Sequence, residues 1–253
     1  MGKLDNRIAI VTGGASGIGR HYAEALAAEG AKVVVADVID GSAAANDISA
    51  RHGKGAASFQ ECDVSDEASV RSLVEGTIRR FDKIDILINN AALMSRLTPQ
   101  KVTEIDVGTW DKVMAVNIRG PFLMVKHVVP HMVAKRYGKI INIGSGVANR
   151  GLASFSHYVS SKGAISSFSR ALSRELGEHG ICVNTLSPGF TMSDGILSNS
   201  AFESWRQPIM QSRAIKREQL PQDLLGAVIF LSSADSDFVT GQTLSVCGGT
   251  VNT

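Results

Sequence analysis

Short β-branched runs alternate with longer stretches of helical period along the whole chain, and this alternation limits the fold more than any other feature of the sequence. The runs are Ile8 to Thr12, Lys32 to Ala36, Ala56 to Gln60, Ile84 to Asn89, Lys139 to Ile143, Cys182 to Leu186 and Thr243 to Val246. Between them, His21 to Glu29, Glu67 to Arg80, Thr109 to Lys135, Tyr158 to Glu178 and Pro221 to Ser232 space their apolar residues by three and four, the period of a helix with one buried face. A strand followed by a helix cannot pair with the next strand through a tight hairpin. It returns by a crossover, which makes neighbours parallel and covers both faces of the sheet. The sequence therefore predicts an α/β fold with a seven-stranded parallel sheet and helices on both faces.

No internal repeat, low-complexity tract or change of composition marks a boundary, so residues 1–253 read as a single domain. The one long stretch without a clear period, from Gly189 to about Arg217, carries Phe190, Phe202, Trp205 and Met210 and is expected to be an irregular lid. With 26 basic and 24 acidic residues the net charge is +2, which gives no global reason to expect nucleic acid or an anionic membrane as partner. The 3 cysteines, Cys62, Cys182 and Cys247, are far apart and suggest neither a disulfide framework nor a zinc site. No run reaches the roughly 18 apolar residues of a membrane span, and no export signal is read near the start. Asn6 stands where a myristoylation signal needs Ser or Thr. The expected location is the reducing cytoplasm.

The first strand leads into Thr12-Gly13-Gly14-Ala15-Ser16-Gly17-Ile18-Gly19-Arg20 and then a helix. Glycines there let the chain turn tightly and let a pyrophosphate approach the amides of a helix N-terminus, where the dipole favours anions. Their spacing, G-x-x-x-G-x-G, is not the commonest dinucleotide fingerprint, but position and chemistry fit a dinucleotide. Gly13, Ser16, Gly17, Ile18 and Gly19 are the candidate contacts. Asp37 ends the second strand, where a carboxylate accepts hydrogen bonds from ribose hydroxyls and repels a 2′-phosphate, so NAD is the expected cofactor. Arg20, inside the helix, is expected to face solvent or a carboxylate instead of compensating Asp37.

Tyr158 and Lys162 lie four residues apart and hence on one helical face. A phenol near its ordinary pKa of about 10 is a poor base at neutral pH, and a neighbouring ammonium is the group that could lower it.

The chain at this point resembles the short-chain dehydrogenase/reductase family. Thr12 to Gly19, Asn89-Asn90-Ala91-Ala92, Asn117, Ser145, Tyr158 with Lys162, Pro188-Gly189, Thr240 to Thr243 and Gly248-Gly249 occur in that family's order and spacing across essentially the whole length. The resemblance implies a single-domain Rossmann fold and an NAD-dependent alcohol dehydrogenase type of activity. It implies that Tyr158 exchanges a proton with the substrate oxygen, that Lys162 lowers the tyrosine pKa and bonds the nicotinamide ribose, and that Ser145 polarises the carbonyl. Asn117, in the long helix near Gly120, would anchor a water that relays protons to Lys162. Asp63 and Val64 match the residues around adenine, Asn90 the one beside its ribose, and Pro188, Gly189, Thr191 and Ser193 the segment that grips the carboxamide. Ala92, Ser193 and Cys247 depart from the usual glycine, threonine and aspartate; Cys247 puts local contacts near the C-terminus in doubt, though not the chemistry.

Met94, Val147, Phe155, Phe190 and Trp205 are expected to form the substrate pocket with Ser145. Apart from Arg96 and Arg150 its segments are mostly apolar or small, pointing to a hydrophobic secondary alcohol or its ketone, cyclic or aromatic. The alternatives are a 3-oxoacyl thioester reductase, against which Asp37 speaks, and a non-catalytic dinucleotide sensor, against which the intact Asn117, Ser145, Tyr158 and Lys162 set speaks. His127 and His131 are four apart but lack a third ligand, so no metal is expected. The resemblance also implies a homo-oligomer, tetramer or dimer, through the helices that hold Asn117 and Tyr158.

Overall fold

A computed structural model describes residues 2–251. The strands are β1 (Ile8–Thr12), β2 (Lys32–Asp37), β3 (Ala57–Glu61), β4 (Ile86–Asn89), β5 (Gly138–Ile143), β6 (Ile181–Pro188) and β7 (Thr243–Val246). They form one parallel sheet in the order β3-β2-β1-β4-β5-β6-β7. The seven expected strands are all present, each within two residues of its expected ends.

The pleat divides each strand between two cores. Ala9 and Val11 of β1, Ile86 and Ile88 of β4, and Ile141 and Ile143 of β5 face one side; Ile10, Leu87 and Ile140 face the other. On the first side they meet Tyr22 and Leu26 of α1 (Gly17–Ala28) and Ile48 of α2 (Ser42–His52). On the second they meet Val70 and Leu73 of α3 (Glu67–Phe81). A strand buried on both faces needs apolar residues throughout, which is why β1 reads Ile-Ala-Ile-Val without alternation.

Helix α2 has no counterpart among the expected helices, because Ala44, Ala45 and Ile48 are its only buried residues and the period they leave is faint. The expected helix over Thr109 to Lys135 is in fact two, α4 (Val107–Met114) and α5 (Gly120–Lys135), joined by a π-helical turn over Ala115–Arg119. Asn117 sits in that turn, an irregularity of the kind that accompanies functional sites.

After β5 come the short α6 (Val147–Arg150) and the long α7 (Ser156–Leu176). The segment expected to be irregular is largely helical: it holds α8 (Asp194–Leu197), a 3-10 turn (Ser200–Phe202) and α9 (Glu203–Ser212). Gly195 and Pro208 interrupt a period that would otherwise have shown in the sequence. Val228 and Leu231 of α10 (Leu225–Ser232) close the first core. No helix among the described residues is long and apolar enough to cross a membrane.

The strand order reverses between β1 and β4. In an open parallel sheet such a reversal sends successive connections to opposite faces and opens a crevice at the carboxyl ends of the strands.

Candidate active site

A cavity of about 780 Å³ occupies that crevice, with the Gly13 to Gly19 turn at one end and Trp205 at the other. Gly13 and Gly17 have φ of 61° and 54°, which side chains with a Cβ rarely adopt. A Cβ on Gly19 would stand 2.1 Å from the Gly13 carbonyl oxygen and 2.5 Å from Asn90 Nδ2. The turn is held open from the neighbouring strand: Asn90 Nδ2 donates to the Thr12 and Gly13 carbonyls, 3.0 Å each, and Thr12 Oγ1 accepts the Asn90 and Ala91 N–H groups. Asn90 thereby braces the floor on which a pyrophosphate would lie.

Asp37 lines the same end. Its carboxylate accepts from the Ala15 and Ile39 N–H groups at 3.1 and 3.3 Å, which aims it at the turn. Arg20 pairs with Asp47 at 2.8 Å, a carboxylate as expected, so it does not neutralise Asp37. Asp63 and Val64 line the cavity beside Asp37, with Asp63 Oδ1 accepting from the Ser65 N–H and hydroxyl. Ser16, Ile18, Pro188, Gly189, Thr191 and Ser193 also line it. The cradle, the unneutralised carboxylate and the volume together fit a dinucleotide.

Tyr158 and Lys162, one turn apart on α7, are both buried and both line the cavity. Lys162 Nζ donates to the Ile143 carbonyl at 2.8 Å and lies 5.7 Å from the Tyr158 ring centroid. Burial pushes the Tyr158 phenol up to about 12, with the Ser145 hydroxyl opposing, and pulls Lys162 down to about 8. In the protein without cofactor, desolvation of the phenolate dominates the Tyr158 pKa. Ser145 follows β5 and lines the cavity next to Tyr158.

Asn117 is buried and does not face the cavity directly. Its Oδ1 accepts the Leu93 N–H at 2.8 Å, and its Nδ2 donates to Ser161 Oγ at 3.0 Å and the Leu93 carbonyl at 3.3 Å. Ser161 Oγ in turn donates to the Tyr158 carbonyl. The π turn thus ties the loop after β4 to the α7 turn that carries Tyr158.

Met94, Val147, Phe190 and Trp205 form the apolar end, joined by Leu152 and Ile196. Phe155 does not. It is fully buried behind the wall, its ring 5.3 Å from Trp205 and 6.4 Å from Phe202, so it supports the pocket without facing it. Cys247 is buried in the wall, its Sγ 3.4 Å from the Val251 N–H. His127 stands 3.1 Å from Glu67 Oε1, and the described residues contain no cluster of three metal-binding side chains.

One residue that sequence reasoning did not reach is Arg213. It is 3% exposed, and donates from Nη2 to the Phe190 carbonyl and from Nη1 to the Arg217 carbonyl, 2.6 Å each. It therefore ties the start of the Gly189 to Arg217 segment to its end. In sequence it is one more arginine in a polar stretch, with no signal of burial.

Residues 13–251 match a family model described as enoyl-(acyl carrier protein) reductase. Galactitol 2-dehydrogenase of Agrobacterium fabrum is 37% identical, with 98% of each chain covered. The crystal structure of 3-ketoacyl-(acyl-carrier-protein) reductase from Brucella melitensis complexed with NADH is 31% identical and superposes with a TM-score of 0.89, covering 98% of this chain and all of that one. An NADP-bound protein of Beutenbergia cavernae superposes equally well, 0.89 at 29% identity, covering 97% of this chain and 96% of that one. The chain is an oxidoreductase of the short-chain dehydrogenase/reductase family.

Proposed function

We propose that this oxidoreductase uses NAD to interconvert a secondary alcohol with a largely apolar body and the corresponding ketone. The observation that carries the reading is that one cavity joins Asp37 and the glycine turn to Ser145, Tyr158 and an apolar wall. When bound, the nicotinamide supplies or accepts the hydride.

The chain's own residues handle the oxygen and the proton. Ser145 donates a hydrogen bond to the carbonyl oxygen, and Tyr158 gives that oxygen its proton as the alcohol forms. With its phenol pushed up to about 12, Tyr158 is protonated throughout the neutral range and ready to act as the acid in reduction. Alcohol oxidation needs the phenolate, so it draws on positive charge placed beside the ring, which the Lys162 ammonium supplies. Asn117 positions Tyr158 through Ser161. Asp37 selects the cofactor: a 2′-phosphate about 4 Å from its carboxylate is opposed by about 4 kcal/mol at an effective dielectric near 20.

A 3-oxoacyl thioester reductase would use the same proton chemistry, and the relative from Brucella melitensis keeps that second reading in view. The test is a set of initial rates with NADH and NADPH on cyclic and aryl ketones and on a 3-oxoacyl thioester, for the native protein, Tyr158→Phe and Asp37→Ala. The expected result is NADH-dependent turnover of the ketones, lost in Tyr158→Phe, with a narrowed cofactor preference in Asp37→Ala. A native preference for NADPH, or full activity in Tyr158→Phe, overturns the reading.

A further inference from the structure

The two ends of the cavity differ in charge. Its acidic lining residues, Asp37 and Asp63, belong to the dinucleotide end, where backbone amides and Ser65 engage them. The rest of the lining carries no carboxylate among the described residues, yet it carries Arg96 and Arg150, together with Lys112 of α4.

Both arginines are exposed at the cavity, and neither guanidinium makes a hydrogen bond or an ion pair within the described residues. Several other arginines are engaged with carboxylates, Arg20 with Asp47, Arg206 with Glu218 and Arg217 with Asp223; what sets Arg96 and Arg150 apart is that they line the cavity. The free pair is also firmly placed. Arg96 sits in a turn closed by the Leu97 N–H on the Met94 carbonyl at 2.9 Å, and Asn199 of the lid segment donates to the adjacent Ser95 carbonyl at 2.8 Å. Arg150 lies three residues after Val147 on α6, hence on the helical face that Val147 turns to the cavity. Each backbone is fixed while each guanidinium is left unused.

A guanidinium presents a planar fork of donors matched to carboxylate and phosphate oxygens, and next to an apolar wall it binds them more strongly than in open water. We infer that the substrate is an amphiphile, a ketone or alcohol on an apolar body that ends in an oxyanion held by Arg96 and Arg150. This rests on the ketone reductase reading above and narrows its substrate class. The oxyanion is the carboxylate of a small acid or the phosphate of a carrier thioester.

The test measures binding and turnover separately, in the NADH complex of the intact protein. One arm compares 3-benzoylpropionate with its methyl ester; the other compares acetoacetyl-coenzyme A with acetoacetyl-N-acetylcysteamine. Binding is read from the intrinsic tryptophan fluorescence of Trp110 and Trp205, the latter lining the cavity, and turnover from loss of NADH absorbance. The anion of one pair is expected to bind at least tenfold more tightly than its neutral partner. That advantage should fall as salt rises and be lost in Arg96→Gln/Arg150→Gln, with partial recovery in Arg96→Lys/Arg150→Lys. Preference in the first arm identifies a small acid, and in the second a phosphate-bearing carrier. Neutral partners that bind as well as the anions in both arms overturn the inference, as does an advantage that survives the double glutamine variant. Tight anion binding without any turnover would sustain this inference and count against the ketone reductase reading, so the two fail separately.

Discussion

Lys162 carries a charge the fold does not compensate, and this can be measured. Its side chain is buried, its one hydrogen-bond partner is the Ile143 carbonyl, and no carboxylate pairs with it among the described residues. Burial lowers its pKa from an ordinary 10.5 to about 8. Each tenfold change in proton affinity is worth about 1.4 kcal/mol, so the ammonium costs the folded protein about 3 kcal/mol. The folded pKa lies below the unfolded one, so the unfolded chain holds the proton more tightly. The cost is present in full below pH 8 and disappears as pH rises toward 10.5.

Lys162→Met keeps a long, flexible side chain and removes the charge. Losing the hydrogen bond to Ile143 costs about 1 kcal/mol, which leaves a net gain of about 2 kcal/mol at pH 7 for the cofactor-free protein. Urea unfolding of both proteins, at one protein concentration and several pH values, reads this directly. The charge-derived part of the gain should shrink to about 1 kcal/mol at pH 10, while turnover falls at least a hundredfold through loss of the group that serves Tyr158. A variant no more stable than the native protein at pH 7, or a gain that does not change with pH, would show that the ammonium is not held at a cost.

Three further substitutions probe the cradle, the pocket wall and the lid. Gly19→Ala places a methyl 2.1 Å from the Gly13 carbonyl oxygen, so NADH affinity by fluorescence titration should weaken at least tenfold; unchanged affinity would mean the cofactor lies elsewhere. Phe155→Ala empties a fully buried site behind Trp205, and should cost about 3–5 kcal/mol in urea unfolding and raise the KM for an apolar ketone more than that for NADH. Arg213→Met leaves the Phe190 and Arg217 carbonyls without their donor, so KM for the ketone should rise while kcat changes less, with Arg213→Lys recovering part of the loss; equal effects on both constants would show that Arg213 is not a lid clamp.

The sheet was readable because a strand buried on both faces is apolar along most of its length, as Ile8 to Val11 of β1 and Ile86 to Ile88 of β4 are. The site was readable where geometry follows from spacing: the four-position step from Tyr158 to Lys162 fixes a common helical face, and a glycine turn after β1 fixes the cradle. What escaped depends on three-dimensional direction. Phe155 lies between two pocket residues in sequence, but as the residue flanking α7, with φ −136° and ψ 33°, it sends its ring behind Trp205. The π turn that places Asn117 shifts one hydrogen-bond register and needs no special composition.

Lys162 and Arg213 share a property that no sequence pattern announces, for each is a buried cation with no carboxylate in an ion pair with it among the described residues. The two are spent differently. Arg213 gives its donors to two backbone carbonyls and ties the two ends of the Gly189 to Arg217 segment together. Lys162 makes a single bond to Ile143 and stays beside the Tyr158 ring. A carboxylate against Lys162 would raise its pKa and stabilise the fold, but it would also cancel the positive potential at the phenol that alcohol oxidation requires. The uncompensated lysine is therefore consistent with a fold that gives up stability at the point where the proposed chemistry needs charge.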